Sequence, residues 1–179
     1  NTAVQCLLRG DTQLPLLPHT RPDEFGQTAR ALMRLRDLTE DTQRKALIDP
    51  LTALANRDGL DVALDGALAN ARATANHAAL LLLDLKRFRH LNHAYGIRTG
   101  DMALQHAATR LKAALPQAIG IARLQGDRFG LVLSLAQDQA TARTLAQNSI
   151  AAVRQQFSTP LIIDGNQLTL DTRAGIALF

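Results

Sequence analysis

Apolar and polar residues follow one another along this chain in patterns that predict helices and strands in a definite order. Apolar positions recur at helical spacing over residues 23–47 and again over residues 58–73. His77–Leu85 is instead a continuous apolar run of strand length, which is typical of the centre of a sheet. A further helix is predicted over residues 100–115.

The second half of the chain continues with a predicted hairpin. Two apolar runs, residues 118–124 and 129–135, flank a short polar segment that contains a glycine. A long helix over residues 139–157 follows, and two short strands, 160–163 and 167–178, are joined by an Asp-Gly-Asn turn. The order helix, strand, helix, strand, strand, helix, strand predicts a split βαβ plan in one α/β domain, with an additional helix before it.

Composition agrees with one ordinary core and excludes several classes of protein. The 179 residues are 46% hydrophobic but only 3% aromatic, so Leu, Ala, Ile and Val must build the interior. The formal charge of +4 comes from arginines that are scattered along the chain. Because no basic stripe is interleaved with aromatic residues, we expect no nucleic-acid partner.

The cysteine count and the hydropathy of the sequence indicate where in the cell this chain functions. Cys6 is the only cysteine, which excludes an internal disulfide and a Cys-x-x-Cys metal site and fits a reducing compartment. The sequence has no run of 18 apolar residues and no visible signal peptide, so we expect that this chain does not itself cross a membrane.

The tip of the predicted hairpin carries the most informative motif. It reads Gln125-Gly126-Asp127-Arg128-Phe129, with Gly126 supplying permissive backbone and Asp127 projecting from the turn. This tip resembles the GGDEF turn of diguanylate cyclases, the enzymes that join two GTP molecules into cyclic di-GMP. Here the five letters are QGDRF.

Further segments extend the resemblance over roughly residues 49 to 179. Residues 49–57 match the DxLTxLxNR pattern of the family in every specified position. Residues 81–92 resemble its first acidic strand and the helix that follows, and Tyr95-Gly96 with Gly100-Asp101 continues the match. The resemblance implies the ferredoxin-like palm of nucleotidyl cyclases, a split βαβ sheet flanked by helices.

The resemblance also implies a metal site. It places metal carboxylates at Asp84 and Asp127, with the backbone carbonyl of Leu85 between them. Joining two GTP requires a divalent cation such as Mg²⁺, which neutralises the triphosphate and takes hard oxygen ligands. The two carboxylates converge on one ion only if their strands are neighbours. The alternative for Asp84 or Asp127, taken alone, is a buried or loop aspartate that binds no metal.

A guanine site is implied at neighbouring positions. The family's guanine-binding amide and carboxylate correspond to Asn92 and Asp101, and Arg89 and Gly126 also stand at nucleotide-binding positions. A carboxylate suits the N1–H and 2-amino donors of guanine, which adenine does not offer. The alternative is that Asp101 is an ordinary residue near a helix N-terminus and Asn92 a solvated helix residue.

Three substitutions depart from the active pattern. Arg128 stands at the fourth, acidic position of the signature, where it reverses the charge beside the metal and the reacting hydroxyl. Gln125 replaces the first glycine and adds a side chain where backbone passes close to the nucleotide. Lys86 replaces a second aspartate, and because strand residues two apart share a face, we expect its charge beside Asp84.

Two further features of active cyclases are missing. The product-inhibition motif RxxD is absent, with Pro116 and Ile119 at the positions of its ends. The chain stops at Phe179, before the helix that in this family brings basic residues to the phosphates.

The N-terminal segment carries a separate resemblance. Residues 8–11, 22–26 and 29–32 are similar to the connector and second helix of a HAMP module, which relays signals from membrane helices. The predicted domains are therefore a partial HAMP-like module with a signalling helix, residues 1–48, and a degenerate GGDEF domain without its C-terminal helix, residues 49–179. An acidic first turn is also favourable in any helix, which leaves an ordinary helix as the alternative. The apolar stripe of this helix needs a partner, so we predict a homodimer.

These observations lead to two main hypotheses. The first is a non-catalytic GTP-binding or structural regulatory module on the cytoplasmic side of the bacterial inner membrane. In that hypothesis the membrane segments lie outside this chain, and an EAL phosphodiesterase-like domain follows, as it often does after such modules. The second is a working diguanylate cyclase that tolerates Arg128 and Gln125. A dimerisation spacer without nucleotide is a third alternative.

Overall fold

The computed structural model describes residues 46–135 and 138–179, and nearer the N-terminus five residues in helical conformation, Gln27, Arg30, Ala31, Met33 and Arg34. The chain divides into two compact units, Asn1–Ala46 and Leu47–Phe179. Most of the predicted helix over residues 23–47 and of the HAMP-like segments lies outside the described residues. Among the described residues, no helix is both long enough and apolar enough to span a bilayer.

The second unit is built, where it is described, from four helices and six strands. In chain order these are α1 Arg57–Thr74, β1 His77–Leu85, α2 Phe88–Tyr95, α3 Ile97–Ala114, β2 Gly120–Gln125, β3 Arg128–Leu135, α4 Gln139–Ser158, β4 Leu161–Ile163, β5 Asn166–Leu168 and β6 Thr172–Leu178. Four strands form one antiparallel sheet in the order β2, β3, β1, β6, and β4 pairs with β5 in a separate hairpin. Strands β1 and β2 are joined through α2 and α3 and lie on either side of β3, which is the predicted split βαβ plan.

Strand β1 is apolar throughout most of its length because both of its faces meet other elements. Its odd-numbered residues, such as Leu81 and Leu83, belong to the larger core, to which residues of α3 and α4 also contribute. Its even-numbered residues Ala78 and Leu80 belong to a second cluster with residues of α1. That cover ends before the end of the strand, since Leu82 remains 47% exposed. The end of β1 is therefore an open surface of the sheet.

Helix α1 packs on the sheet face that carries Ala78 and Leu80, and most of the buried side chains between them are small. It begins at Asn56, whose Oδ1 accepts a hydrogen bond from the backbone N–H of Gly59 at 3.0 Å. Leu60 and Ala67 of the helix are buried in the same cluster as Ala122 and Val132 of the sheet. Burial of a leucine side chain such as Leu60 contributes about 1.5–3 kcal/mol, so this cluster fixes the helix over β2 and β3.

The fold class is as predicted, and β1 coincides with its predicted bounds. Two boundaries differ. The helix expected from residue 100 begins at Ile97, because Gly96, with a φ of 86°, ends α2 and begins α3 at the same point. The last predicted strand is two strands, since β5 pairs with β4 whereas β6 pairs with β1.

Candidate functional site

The open end of β1 lies next to the hairpin that carries the signature. Asp84 is in register with Arg128 of β3 on one side and with Arg173 of β6 on the other. The backbone N–H of Leu85 donates to the carbonyl oxygen of Asp127 at 3.2 Å. The strands that carry Asp84 and the signature are thus neighbours, which is the condition on which the predicted convergence of Asp84 and Asp127 depends.

The hairpin tip has the backbone that its sequence requires. Gly126 has a φ of 60°, in the left-handed region that favours glycine. Its carbonyl oxygen accepts a hydrogen bond from Arg123 Nε at 2.9 Å. Gln125 and Arg128 are exposed on either side of the turn, whereas Asp127 is half-buried. The two substituted positions of the signature are therefore the ones most open to a ligand.

Arg128 contacts the carboxylate that would serve a metal. Its Nε lies 3.5 Å from Asp84 Oδ2, and the two side chains are 69% and 41% exposed. Among the described residues, no three or more His, Cys, Asp or Glu side chains are grouped so as to hold a metal ion. The positive charge of Arg128 beside Asp84 opposes the binding of a second cation there, so the residues present do not fit Asp84 as a ligand of Mg²⁺.

Lys86 lies elsewhere than the sequence predicted. Its Nζ is 2.9 Å from Asp171 Oδ2, and this hydrogen bond from Lys86 lowers the pKa of the Asp171 carboxyl. Strand β1 ends at Leu85, so the alternation that would place Lys86 on the face of Asp84 does not extend to it. The expectation that Lys86 brings its charge beside Asp84 is corrected accordingly.

A cleft of about 330 Å³ opens over this end of the sheet. Its polar lining includes Asp84, Arg128 and Arg173, and its apolar lining includes Leu82 and Leu124. Arg173 is a site residue that the sequence analysis missed. No motif marks it, and only the pairing of β1 with β6 brings it next to Asp84.

The two predicted guanine contacts lie on the two helices that flank Gly96, Asn92 on α2 and Asp101 on α3. Asn92 lies on α2 and accepts a backbone hydrogen bond from Gly96 at 2.9 Å, and the chain then turns into α3. Gly100 packs so closely on Asn92 that a Cβ atom at position 100 would overlap Asn92 Oδ1. That oxygen is buried and has no hydrogen-bond partner in the described part of the chain. Asp101 follows Gly100 on α3 and is half-buried.

Arg89 is a further predicted nucleotide-binding residue. It lies one turn before Asn92 on α2 and is exposed.

An ion pair connects the first segment of the domain to the signature hairpin. Asp49 Oδ1 accepts hydrogen bonds from Thr52 N at 2.8 Å and Thr52 Oγ1 at 2.6 Å. Arg123 Nη1 lies 3.3 Å from Asp49 Oδ2, and the two side chains are only 16% and 17% exposed. Burial raises the pKa of Asp49, but the hydrogen bonds from Thr52 and the charge of Arg123 outweigh it and lower that pKa. Since Arg123 also holds Gly126, the pair fixes the hairpin tip relative to residue 49.

Comparisons with known proteins agree with this architecture. The family model described as "Diguanylate cyclase, GGDEF domain" matches residues 46–179. The chain is 37% identical over 134 residues to the bifunctional diguanylate cyclase/cyclic di-GMP phosphodiesterase MucR of Pseudomonas aeruginosa, covering 75% of this chain and 19% of MucR. It is 32% identical over 146 residues to the diguanylate cyclase TpbB of the same organism, covering 82% of this chain and 33% of TpbB. The chain thus spans a third or less of the length of these relatives.

A solved structure gives the same result. A sensory box/GGDEF family protein of Caulobacter crescentus superposes with a TM-score of 0.69 at 28% sequence identity, covering 74% of this chain and 83% of that chain. Three independent properties agree: the order of the strands, the position of the signature hairpin next to Asp84, and the family match over residues 46–179. The chain belongs to the GGDEF diguanylate cyclase family, whose members act in cyclic di-GMP signalling.

Proposed function

We propose that this domain is a non-catalytic regulatory module that binds a guanine nucleotide without converting it. The observation that carries the proposal is the contact between Arg128 Nε and Asp84 Oδ2 at 3.5 Å. Joining two GTP molecules needs a cation and an acidic group beside the reacting hydroxyl. Arg128 brings the opposite charge to that position and engages the carboxylate that would hold the cation. We therefore infer that the chemical step is lost.

Binding of guanine is supported by the joint between α2 and α3. Asn92 Oδ1 is a buried acceptor without a partner in the described region, and leaving such an atom unsatisfied costs about 1–3 kcal/mol. That oxygen faces Gly100, so an N–H donor of a ligand would remove this cost once the Asn92 side chain turns toward it. Guanine offers N1–H and the 2-amino group, and Asp101 nearby in the sequence is an acceptor for the same edge. Adenine does not offer this pair of donors, so the proposal includes selectivity for GTP over ATP.

The setting of the domain is also a proposal. The chain matches 19% of MucR, whose name joins a cyclase and a phosphodiesterase activity. We propose a similar setting for this protein, in which a membrane sensor precedes this domain and an EAL phosphodiesterase-like domain follows it. The domain itself would lie on the cytoplasmic side of the membrane. Occupancy of the nucleotide site would then regulate the neighbouring domain.

The loss of catalysis is tested by turnover. The domain with its C-terminal helix restored is incubated with GTP and either Mg²⁺ or Mn²⁺, and the products are separated by chromatography, with TpbB as the positive control. We expect no detectable cyclic di-GMP. Turnover on the order of one per second, a rate typical of enzymes, would contradict the proposal and favour an active cyclase. The double variant Arg128→Glu with Gln125→Gly restores the letters of the signature and is the gain-of-function arm.

Selectivity is tested by calorimetric titration with GTP and ATP. We expect GTP to bind weakly and ATP not to compete with it. Asp101→Ala should lose about 1–3 kcal/mol of discrimination, the value of a good hydrogen-bonded base contact. Asp61→Ala, which removes an exposed carboxylate from α1, is the matched control and should behave like the unchanged protein. Equal affinities for the two nucleotides, or no heat for either, would leave only a structural spacer.

A further inference from the structure

Asp84 lies between two arginines on neighbouring strands. Arg128 is its cross-strand partner on β3 and Arg173 its partner on β6. Residues directly opposite each other on antiparallel strands have Cβ atoms about 4.5–5.5 Å apart, so both arginines start on the same face of the sheet as Asp84. Arg128 Nε lies 3.5 Å from Asp84 Oδ2. All three side chains line the same cleft of about 330 Å³.

The charges in this cleft do not balance. One carboxylate faces two guanidinium groups, and the other lining residues are uncharged. Arg128 is held by Asp84, whereas Arg173 is exposed and makes no ion pair within the described ranges. Gly175, two residues further along β6, has open space where a side chain would stand. The cleft therefore contains one arginine that pairs with Asp84, Arg128, and one without an ion pair among the described residues, Arg173. No side chain at position 175 covers them.

Lys86 does not add to this cluster, because its ammonium group pairs with Asp171 and lines the clefts beside α2 and α4. The surplus positive charge over Asp84 is thus due to the two arginines. Guanidinium groups bind phosphate oxygens through paired, charge-assisted hydrogen bonds, and they keep their charge at all physiological pH values.

We propose that Arg128 and Arg173 bind the phosphates of the nucleotide and take the place that a divalent cation has in active members of the family. Asp84 is then a positioning residue that orients Arg128 and not a metal ligand. This inference rests on the proposed nucleotide binding and adds the ionic form of the ligand, a guanine nucleoside triphosphate without Mg²⁺. Its direct consequence is an affinity for GTP that does not depend on a divalent cation.

The test is a titration of the whole chain with GTP, once with Mg²⁺ in excess over the nucleotide and once with EDTA. We expect the two affinities to agree within about twofold, a free-energy difference well below that of a single charged contact. Arg173→Ala should weaken GTP binding in EDTA about tenfold, the effect of losing 1.4 kcal/mol. The same variant should bind guanosine as before, because guanosine has no phosphate.

Three further variants test whether the charge at these positions is responsible. Arg143→Ala removes an exposed arginine from α4 and controls for the change in net charge. Arg173→Lys keeps the charge and should bind GTP with an affinity between those of Arg173→Ala and the unchanged protein. Arg128→Met frees Asp84, so that Mg²⁺ should now strengthen GTP binding.

The outcomes distinguish the two proposals. Binding of GTP to the unchanged protein only in the presence of Mg²⁺ would overturn the phosphate role of the arginines and leave the regulatory proposal intact. Equal effects of Arg173→Ala and Arg143→Ala would do the same. Absence of GTP binding in both conditions would overturn the proposed nucleotide binding and this inference together.

Discussion

Arg128 and Asp84 form an exposed ion pair that contributes little to stability. Both side chains are substantially exposed, at 69% and 41%, and exposed pairs of this kind contribute only about 0–1 kcal/mol to folding. The variants at position 128 can therefore be compared without a large change in stability. We therefore expect a change at position 128 to affect ligand binding more than folding.

Gly100 has a specific role at the same scale, since it leaves room for the amide of Asn92. We predict that Gly100→Ala displaces Asn92 and costs about 1–3 kcal/mol of GTP binding, as expected for a lost base contact. Folding should be less affected, because alanine is favoured over glycine in a helix by about 1 kcal/mol and this gain offsets part of the overlap. Titration calorimetry measures the affinity, and thermal unfolding measures the stability.

Gly66 provides the matched control for that substitution. It lies within α1, and nothing stands within 4 Å of the Cβ that an alanine would add. Gly66→Ala should therefore stabilise the domain by about 0.5–1 kcal/mol and leave GTP affinity unchanged. The role assigned to Gly100 would be wrong if both variants bound GTP equally well.

At the scale of elements, the Asp49–Arg123 pair connects the first segment of the domain to the signature hairpin. The side chains are 83–84% shielded, as their exposures of 17% and 16% show. We predict that Asp49→Asn lowers the free energy of unfolding by about 2–4 kcal/mol, because Arg123 loses its charge partner in a shielded place. Urea denaturation measures the loss. Asp65→Asn, on an exposed position of α1, is the control and should change stability by less than about 0.5 kcal/mol.

The same pair predicts how stability depends on pH. The pKa of Asp49 is lowered in the folded domain, so its carboxylate stabilises the fold above the pKa of the unfolded chain, about 4. This contribution is lost as the pH falls through the lower pKa of the folded state. The stability difference between the unchanged protein and Asp49→Asn should therefore be constant near neutral pH and narrow below about pH 4. A difference that stays constant down to pH 2 would show that the ionisation of Asp49 is not the cause.

At the scale of the whole molecule, the sequence predicted what depends on local pattern. The run His77–Leu85 is typical of a central strand, and the glycine at position 126 marks the hairpin tip. The family motifs then identified the elements that carry Asp84, Asn92 and Asp101. In each case the information lies in a few adjacent residues or in a fixed spacing.

What depends on pairing between distant strands could not be predicted in this way. Arg173 meets Asp84 only through the register of β1 with β6. The split of the last strand has the same origin, because β5 pairs with β4 whereas β6 pairs with β1. No periodicity in a single segment reports such contacts, so the second arginine of the cleft became visible only in three dimensions.

The last prediction concerns the N-terminal segment, and it rests on the sequence alone. An apolar stripe recurs at helical spacing through Phe25, Ala29, Leu32, Leu35 and Leu38. A lone helix would leave such a stripe exposed, whereas two parallel helices bury it against each other. We therefore expect the chain to sediment with twice the mass of its monomer, and a form without residues 1–45 to sediment as a monomer.

Two point variants test whether the apolar stripe forms the dimer contact. Leu35→Glu should dissociate the dimer, because it places two charges between the paired helices. Arg36→Glu, one position off the stripe, should not. Equal monomeric masses for the full and shortened chains would rule out this dimer, and the domain would then have to act on its neighbours as a single copy.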